Sequence, residues 1–277
     1  MKWRELWAEA EGALGSRLEA RRIVERVSGY DGADLALHLD DGVPARAVPF
    51  VDGMVARRAA GEPLQYVVGR WGFRGLDLLV DRRVLIPRPE TETVVEVALA
   101  QLGGRPAPVV VDLGTGSGAI ALAVAQEVVD AQVWATDASA AALAVARANL
   151  AGLGSAGAVR VRLVEGRWFD ALPPALSGHV DLIVSNPPYI GAAEALPPEV
   201  VDWEPPDALF AGPTGLEAVA EIVAGAPAWL GRPGALVVEI APHQAADAAA
   251  LAVEAGFNEV DVRPDLGNRP RVLVGRL

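Results

Sequence analysis

Beyond residue 80 the chain alternates short, mostly apolar runs with longer stretches of helical composition. Val109-Val110-Val111-Asp112-Leu113, Gln132-Val133-Trp134-Ala135-Thr136 and Val180-Asp181-Leu182-Ile183-Val184-Ser185 have strand length, and their apolar runs predict buried strands. Ala119 to Ala125 and the Ala-rich tracts near Ala138 and Ala245 predict helices. This alternation runs through residue 240 and predicts a parallel sheet with crossover helices. Phe257 to Val262 and Arg271 to Gly275 predict a terminal antiparallel pair around the turn Pro264-Asp265-Leu266-Gly267-Asn268.

Residues 4 to 60 have helical periodicity and no strand pattern. Arg4 to Val27 predicts one helix or a broken pair, with Gly12 and Gly15 as break points. Asp34 to Leu39 and Pro49 to Ala60 predict two more helices, the second with Pro near its first turn and Gly61 past its end. Trp3, Trp7, Leu14, Leu18, Ile23 and Val24 are the expected core of this bundle. Tyr66 to Phe73 and Leu76 to Val80 predict a β-hairpin leading into the second part.

Composition narrows the class. With 277 residues, 52% of them hydrophobic, the chain can build a sizeable core. No apolar stretch approaches a membrane span, and Met1-Lys2-Trp3-Arg4-Glu5 has no apolar signal region behind it. Zero cysteines exclude disulfides and thiolate metal sites, and His38, His179 and His243 show no metal spacing. The formal net charge of −12 weighs against a duplex-DNA binder, which displays a basic face to phosphates.

Two motifs carry chemistry. The run ending at Leu113 feeds Gly114-Thr115-Gly116-Ser117-Gly118 and then a helix, a loop that lets a ligand approach the backbone closely. Asp137, 23 positions after Gly114, ends the next strand at the spacing of a carboxylate that holds a ribose diol. An adenosine cofactor fits, and so does a nicotinamide dinucleotide, because Gly114 to Ala119 also reads G-x-G-x-x-A. The second motif, Asn186-Pro187-Pro188-Tyr189, stops a buried strand at its carboxyl end, where open α/β sheets bind ligands. Two prolines stiffen this loop. The Asn186 side-chain oxygen and the Pro187 carbonyl then form two fixed acceptors, suited to the two hydrogens of a planar NH2 group. Together the motifs favour S-adenosylmethionine and an amino or amide acceptor.

At these residues the chain resembles the HemK/PrmC-type protein-(glutamine-N(5)) methyltransferases, which modify the Gln of the Gly-Gly-Gln loop in peptide chain release factors. Gly61-Glu62-Pro63-Leu64-Gln65-Tyr66, Leu85-Ile86-Pro87-Arg88-Pro89-Glu90-Thr91-Glu92 and Glu204-Pro205-Pro206-Asp207-Ala208-Leu209 add to the likeness, which covers nearly the whole chain. The resemblance implies a Rossmann-like class I methyltransferase, α/β with a mostly parallel seven-stranded sheet, plus a small helical N-terminal domain. It implies that Gly114, Thr115, Gly116, Ser117 and Gly118 cradle the methionine end of the cofactor, that Asp137 holds the ribose and that Trp168 packs on the adenine. It also implies that Asn186, Pro187 and Tyr189 are the catalytic residues and that Asn186 serves both cofactor and substrate. Asn186 and the Pro187 carbonyl bind the substrate amide in this resemblance, with Tyr189 packed against it, Pro188 in the substrate site, and Arg88 and Glu90 lining the site. Arg167 departs from the pattern, since many relatives carry an acid there. A guanidinium accepts nothing from the adenine amino group, so a backbone carbonyl or Glu165 takes that contact in this reading.

The expected division is a helical substrate-recognition domain over 1–65, a hairpin linker over 66–83 and a methyltransferase domain over 84–277. The expected cofactor is S-adenosyl-L-methionine, with S-adenosyl-L-homocysteine as product and no metal. The expected partners are class I peptide chain release factors, with no stable nucleic-acid binding and no membrane, in the cytoplasm.

Overall fold

The structure, a computed structural model, describes residues 1–277, the side chain of Ala156 apart. It divides into two compact units, Met1–Trp71 with Pro197–Trp203, and Gly72–Leu196 with Glu204–Leu277.

The first unit is helical. Its elements are α1 (Trp3–Leu14), α2 (Arg17–Ser28), α3 (Gly32–Leu37), α4 (Val48–Ala59) and α5 (Leu64–Val68). Gly15, not Gly12, makes the break: its φ of 65° ends α1, and Ser16 caps α2 by accepting from the Glu19 amide at 3.3 Å. Trp3, Leu6, Ile23, Val24, Leu35 and Val51 are buried together, with Trp7 and Leu14 partly buried against them. Leu18 does not join this core and is 63% exposed. It stands two positions before buried Ala20, which carries it to the opposite side of the helix. Residues 66 to 68 are helical rather than extended. Tyr66, Val67 and Val68 are buried in α5, and Gly69 closes it with a φ of 70°.

A short hairpin, β1 (Arg70–Phe73) and β2 (Leu76–Leu79), follows. The second unit then runs α6 (Pro89–Leu102), β3 (Val109–Leu113), α7 (Ala119–Glu127), β4 (Gln132–Asp137), α8 (Ala140–Gly152), α9 (Gly154–Ala158) and β5 (Val161–Glu165). After β6 (Val180–Ser185) and β7 (Ile190–Gly191), the chain makes α10 (Pro198–Val201), which belongs to the first unit. It continues through α11 (Pro206–Leu209), β8 (Phe210–Gly212), α12 (Glu217–Gly225), β9 (Leu230–Glu239), α13 (Ala245–Glu254), β10 (Glu259–Pro264) and β11 (Pro270–Arg276).

Seven strands form one sheet in the order β10-β11-β9-β6-β3-β4-β5. The pairs β3–β4, β3–β6, β4–β5 and β6–β9 are parallel, while β11 is antiparallel to both neighbours. Alternate residues of the central strands serve opposite cores, which explains their nearly unbroken apolar runs. Val110, Val133, Leu182 and Val237 pack with α6 and α7, whereas Val111, Ile183, Leu236 and Val238 pack with α12 and α13. From β3 the chain fills one side through β4 and β5, then crosses to β6 on the other. The reversal puts a crevice at the carboxyl ends of β3 and β6. No helix among the described residues is long and apolar enough to cross a membrane.

Candidate active site

A cavity of about 660 Å³ opens at that reversal. Leu113 and Ser185 are register partners, so the glycine loop and the Asn-Pro-Pro-Tyr loop leave the sheet side by side. The Ser185 hydroxyl donates to the Leu113 carbonyl at 2.6 Å and ties the two strand ends.

The glycine loop is shaped by its neighbours. The amides of Gly114 and Thr115 both donate to the Thr136 carbonyl at 2.9 Å. Gly114, Gly116 and Gly118 have φ of 72°, 56° and 86°, in the region that disfavours side chains. A Cβ on Gly114 would stand 3.2 Å from the Trp168 ring. Beneath the loop lies Asp112, fully buried. Its carboxylate accepts from Thr115 Oγ1 at 2.6 Å and from the Ala121 amide at 3.1 Å, while Oδ1 has no partner among the described residues. Burial pushes this carboxyl up to about 7, against the lowering effect of those bonds.

Asp137 closes β4 on the cavity wall. It accepts from the Gly116 amide and the Ser139 amide, each at 2.8 Å. Desolvation raises its pKa, and the two amides pull the other way. Each carboxylate oxygen keeps lone-pair capacity for a second donor, such as a ribose hydroxyl. Trp168 lines the same cavity, with Gly166 and Arg167. The Arg167 guanidinium is occupied by Glu221, with Nε at 3.1 Å from Oε1. Glu165 ends β5 exposed and outside the cavity lining.

Asn186 and Pro188 face the cavity across from the loop. Asn186 Nδ2 donates to Thr91 Oγ1 at 3.1 Å. Thr91 in turn donates to Glu239 Oε2 at 2.7 Å, and the Tyr189 hydroxyl donates to Glu239 Oε1 at 3.2 Å. Thr91 and Glu239 are both buried, at 3% and 1% exposure. Burial raises the pKa of Glu239, opposed by the Thr91 bond and the charge of Arg271. Burial, then the nearby Glu239 charge, raises that of Tyr189. The Tyr189 carbonyl accepts from Gln244 Nε2 at 2.9 Å, which fixes the loop from behind.

The cavity therefore gathers Gly114, Thr115, Gly116, Ser117, Asp137, Trp168, Asn186 and Pro188. Gly118, Pro187 and Tyr189 stand behind or beside this wall rather than in it. Arg88 and Glu90 also stand outside it. Arg88 is bound to Glu204, whose other oxygen accepts from the Ile86 amide at 3.0 Å. Glu90 accepts from Arg269 at 3.1 Å. Thr91 and Glu239 escaped residue-by-residue reading. The only signal for Glu239 is an acid at the end of the apolar run over 235–238.

Comparisons with known proteins agree with this architecture. Residues 5–69 match the model of the PrmC N-terminal domain, and residues 93–200 match that of the methyltransferase small domain. The release factor glutamine methyltransferase of Cereibacter sphaeroides is 45% identical over 97% of this chain and 94% of its own length. That of Bordetella pertussis is 47% identical over 94% of this chain and 95% of its own. Among solved structures, the hMettl16 catalytic domain is similar in fold, with a TM-score of 0.60 and 16% identity over 80% of this chain and 81% of that one. A methyltransferase from Pyrococcus furiosus aligns with a TM-score of 0.52 and 20% identity over 73% and 89%. Two aligned family models and near-full-length identity above 40% place the chain in the release factor glutamine methyltransferase family.

Proposed function

We propose that this chain transfers a methyl group from S-adenosyl-L-methionine to the side-chain amide nitrogen of the Gln in the Gly-Gly-Gln loop of class I peptide chain release factors. One observation carries the reading: the Asn186 NH2 gives a hydrogen to Thr91, which fixes the amide's orientation and leaves Oδ1 to accept, in the same cavity as the glycine loop and Asp137.

The residues present suit the cofactor. About 660 Å³ lies within the roughly 300–1,000 Å³ usual for small-molecule sites. Gly114 to Ser117 offer a backbone surface without side-chain obstruction at the glycines, Asp137 offers acceptors for ribose hydroxyls, and the Trp168 ring offers an apolar plane. Bound S-adenosylmethionine would supply an electrophilic methyl on a sulfonium leaving group, and the amide proton displaced by the new nitrogen–carbon bond would pass to water. The chain supplies orientation and dryness. An amide nitrogen is a poor nucleophile because its lone pair is delocalised. Asn186 Oδ1 would accept one of its hydrogens in the cavity, and the Pro187 carbonyl, beside the cavity wall, would accept the other; holding both favours the more tetrahedral nitrogen that attacks. Fixing two reactants in line is by itself a large part of a rate enhancement.

The helical domain over 1–65 serves substrate recognition in this reading. The protein works in the cytoplasm and forms no stable complex with nucleic acid, in keeping with its net charge of −12. A chain beginning near Asp81 is expected to keep cofactor binding and to lose its preference for intact factor over a Gly-Gly-Gln peptide, because remote contacts orient the substrate. The reading is tested with labelled S-adenosylmethionine, intact release factor, the same factor with its target Gln changed to Ala, and duplex DNA. Label confined to the intact factor supports it, and equal label in the Ala variant or in DNA contradicts it.

A further inference from the structure

The Asn186 amide has two ends of similar size, and only one is useful. Oδ1 accepts a hydrogen from a substrate NH2, whereas Nδ2 turned to the same place would meet it donor to donor. Something must set which end faces the cavity. Thr91 Oγ1 is 3.1 Å from Nδ2 and 2.7 Å from Glu239 Oε2. A hydroxyl has one hydrogen. With that hydrogen given to the carboxylate, only lone pairs face Asn186, and only the NH2 end of Asn186 can meet them. The second oxygen of Glu239 is taken by the Tyr189 hydroxyl at 3.2 Å, so the carboxylate accepts from helix α6 and from the Asn-Pro-Pro-Tyr loop at once. Thr91 is 3% exposed and Glu239 1% exposed, so water does not readily substitute for either bond.

We infer that Thr91 is a positioning residue of the methyl-transfer site. With its hydrogen held by Glu239, it sets the polarity of the Asn186 amide and makes that side of the site acceptor-only toward an NH2 substrate. Thr91 acts through Asn186. This inference rests on the proposed function, since it names what orients the group that receives the amide.

The test compares the parent with Thr91→Val and Thr91→Ser in the full-length protein. Valine keeps the volume and removes the hydroxyl. Serine keeps the hydroxyl and removes a methyl. Each protein is assayed for kcat and KM on intact release factor at saturating S-adenosylmethionine, for S-adenosylhomocysteine affinity by calorimetry, and for Tm. Losing one preorganised polar contact costs on the order of 100- to 1,000-fold in turnover. Loss of orientation with Asn186 still present should cost Thr91→Val a smaller, roughly 10- to 100-fold drop in kcat. Product affinity should stay within about threefold, a shift under roughly 1 kcal/mol. Thr91→Ser should recover kcat to within about threefold of the parent on the same scale. The inference is overturned if Thr91→Val turns over like the parent, or if serine and valine lose kcat equally, which marks a packing role. The parent is the control for the underlying reading: a parent that leaves the release factor Gln unmethylated overturns the substrate assignment and this inference with it. A methylating parent with unaffected Thr91→Val overturns this inference alone.

Discussion

The Ser185 hydroxyl reaches the Leu113 carbonyl at 2.6 Å, so the strand that delivers the glycine loop and the strand that delivers Asn186 end tied together. Ser185 and Leu113 are also register partners in the parallel pair β3–β6. A cofactor loop and a substrate loop that are far apart in sequence thereby share one rigid base. Methyl transfer needs two reactants held in line, and this tie is a structural means of holding them.

Asn186→Ala removes one fixed acceptor and leaves the glycine loop untouched. Turnover should fall roughly 100- to 1,000-fold, the cost of losing one preorganised hydrogen-bonding group. Product binding by calorimetry should change far less. Parent-like turnover would remove Asn186 from the mechanism.

Asp137→Ala should weaken S-adenosylhomocysteine binding by about 1.5–3 kcal/mol, or roughly 10- to 150-fold, the value of hydrogen bonds to a charged group. Asp137 also holds the Gly116 and Ser139 amides, so Asp137→Asn, which keeps one oxygen, should lose less. A titration showing both variants as tight as the parent would take the ribose role away from Asp137.

These two residues and the glycine loop were legible because each sits at the end of an apolar run whose length marks it as a strand. The strands β3, β4 and β6 were readable for the same reason. What joins them was not. Thr91 and Glu239 meet across 148 positions, and Arg88 and Glu204 across 116, distances over which only the folded sheet decides proximity. Tyr66, Val67 and Val68 read as strand because aromatic and β-branched residues favour it. Burial against the helical bundle overrides that preference in α5. Leu18 was misplaced because helical periodicity gives a face only once the break at Gly15 fixes the phase of α2.

Arg88 was expected to line the site, and the structure ties it to Glu204, whose side chain is 1% exposed. Arg88→Ala leaves that carboxylate buried with only the Ile86 amide for company. A drop in stability of about 1–3 kcal/mol, the cost of an unsatisfied buried polar group, is expected in urea melts. An unchanged midpoint together with a large rise in KM would instead assign Arg88 to substrate binding.

Asp112 gives the chain a pH signature. Its folded pKa of about 7 lies above the ordinary carboxyl value of 3.8, so the folded state holds this proton more tightly than the unfolded state. Its contribution to stability is full below the unfolded value and is lost as pH rises through about 7. Urea midpoints of the parent should therefore fall, relative to Asp112→Asn, as pH rises from about 4 to about 7, and level off above it. Parallel profiles for the two proteins would contradict the shift.

The most direct measurement is mass mapping of release factor after incubation with the protein and S-adenosylmethionine. The expected result is one added methyl group on the side chain of the Gln in the Gly-Gly-Gln peptide, absent when Asn186→Ala replaces the parent. A methyl group on any other residue, or on nucleic acid with the factor unmodified, would contradict the assignment of this site to glutamine.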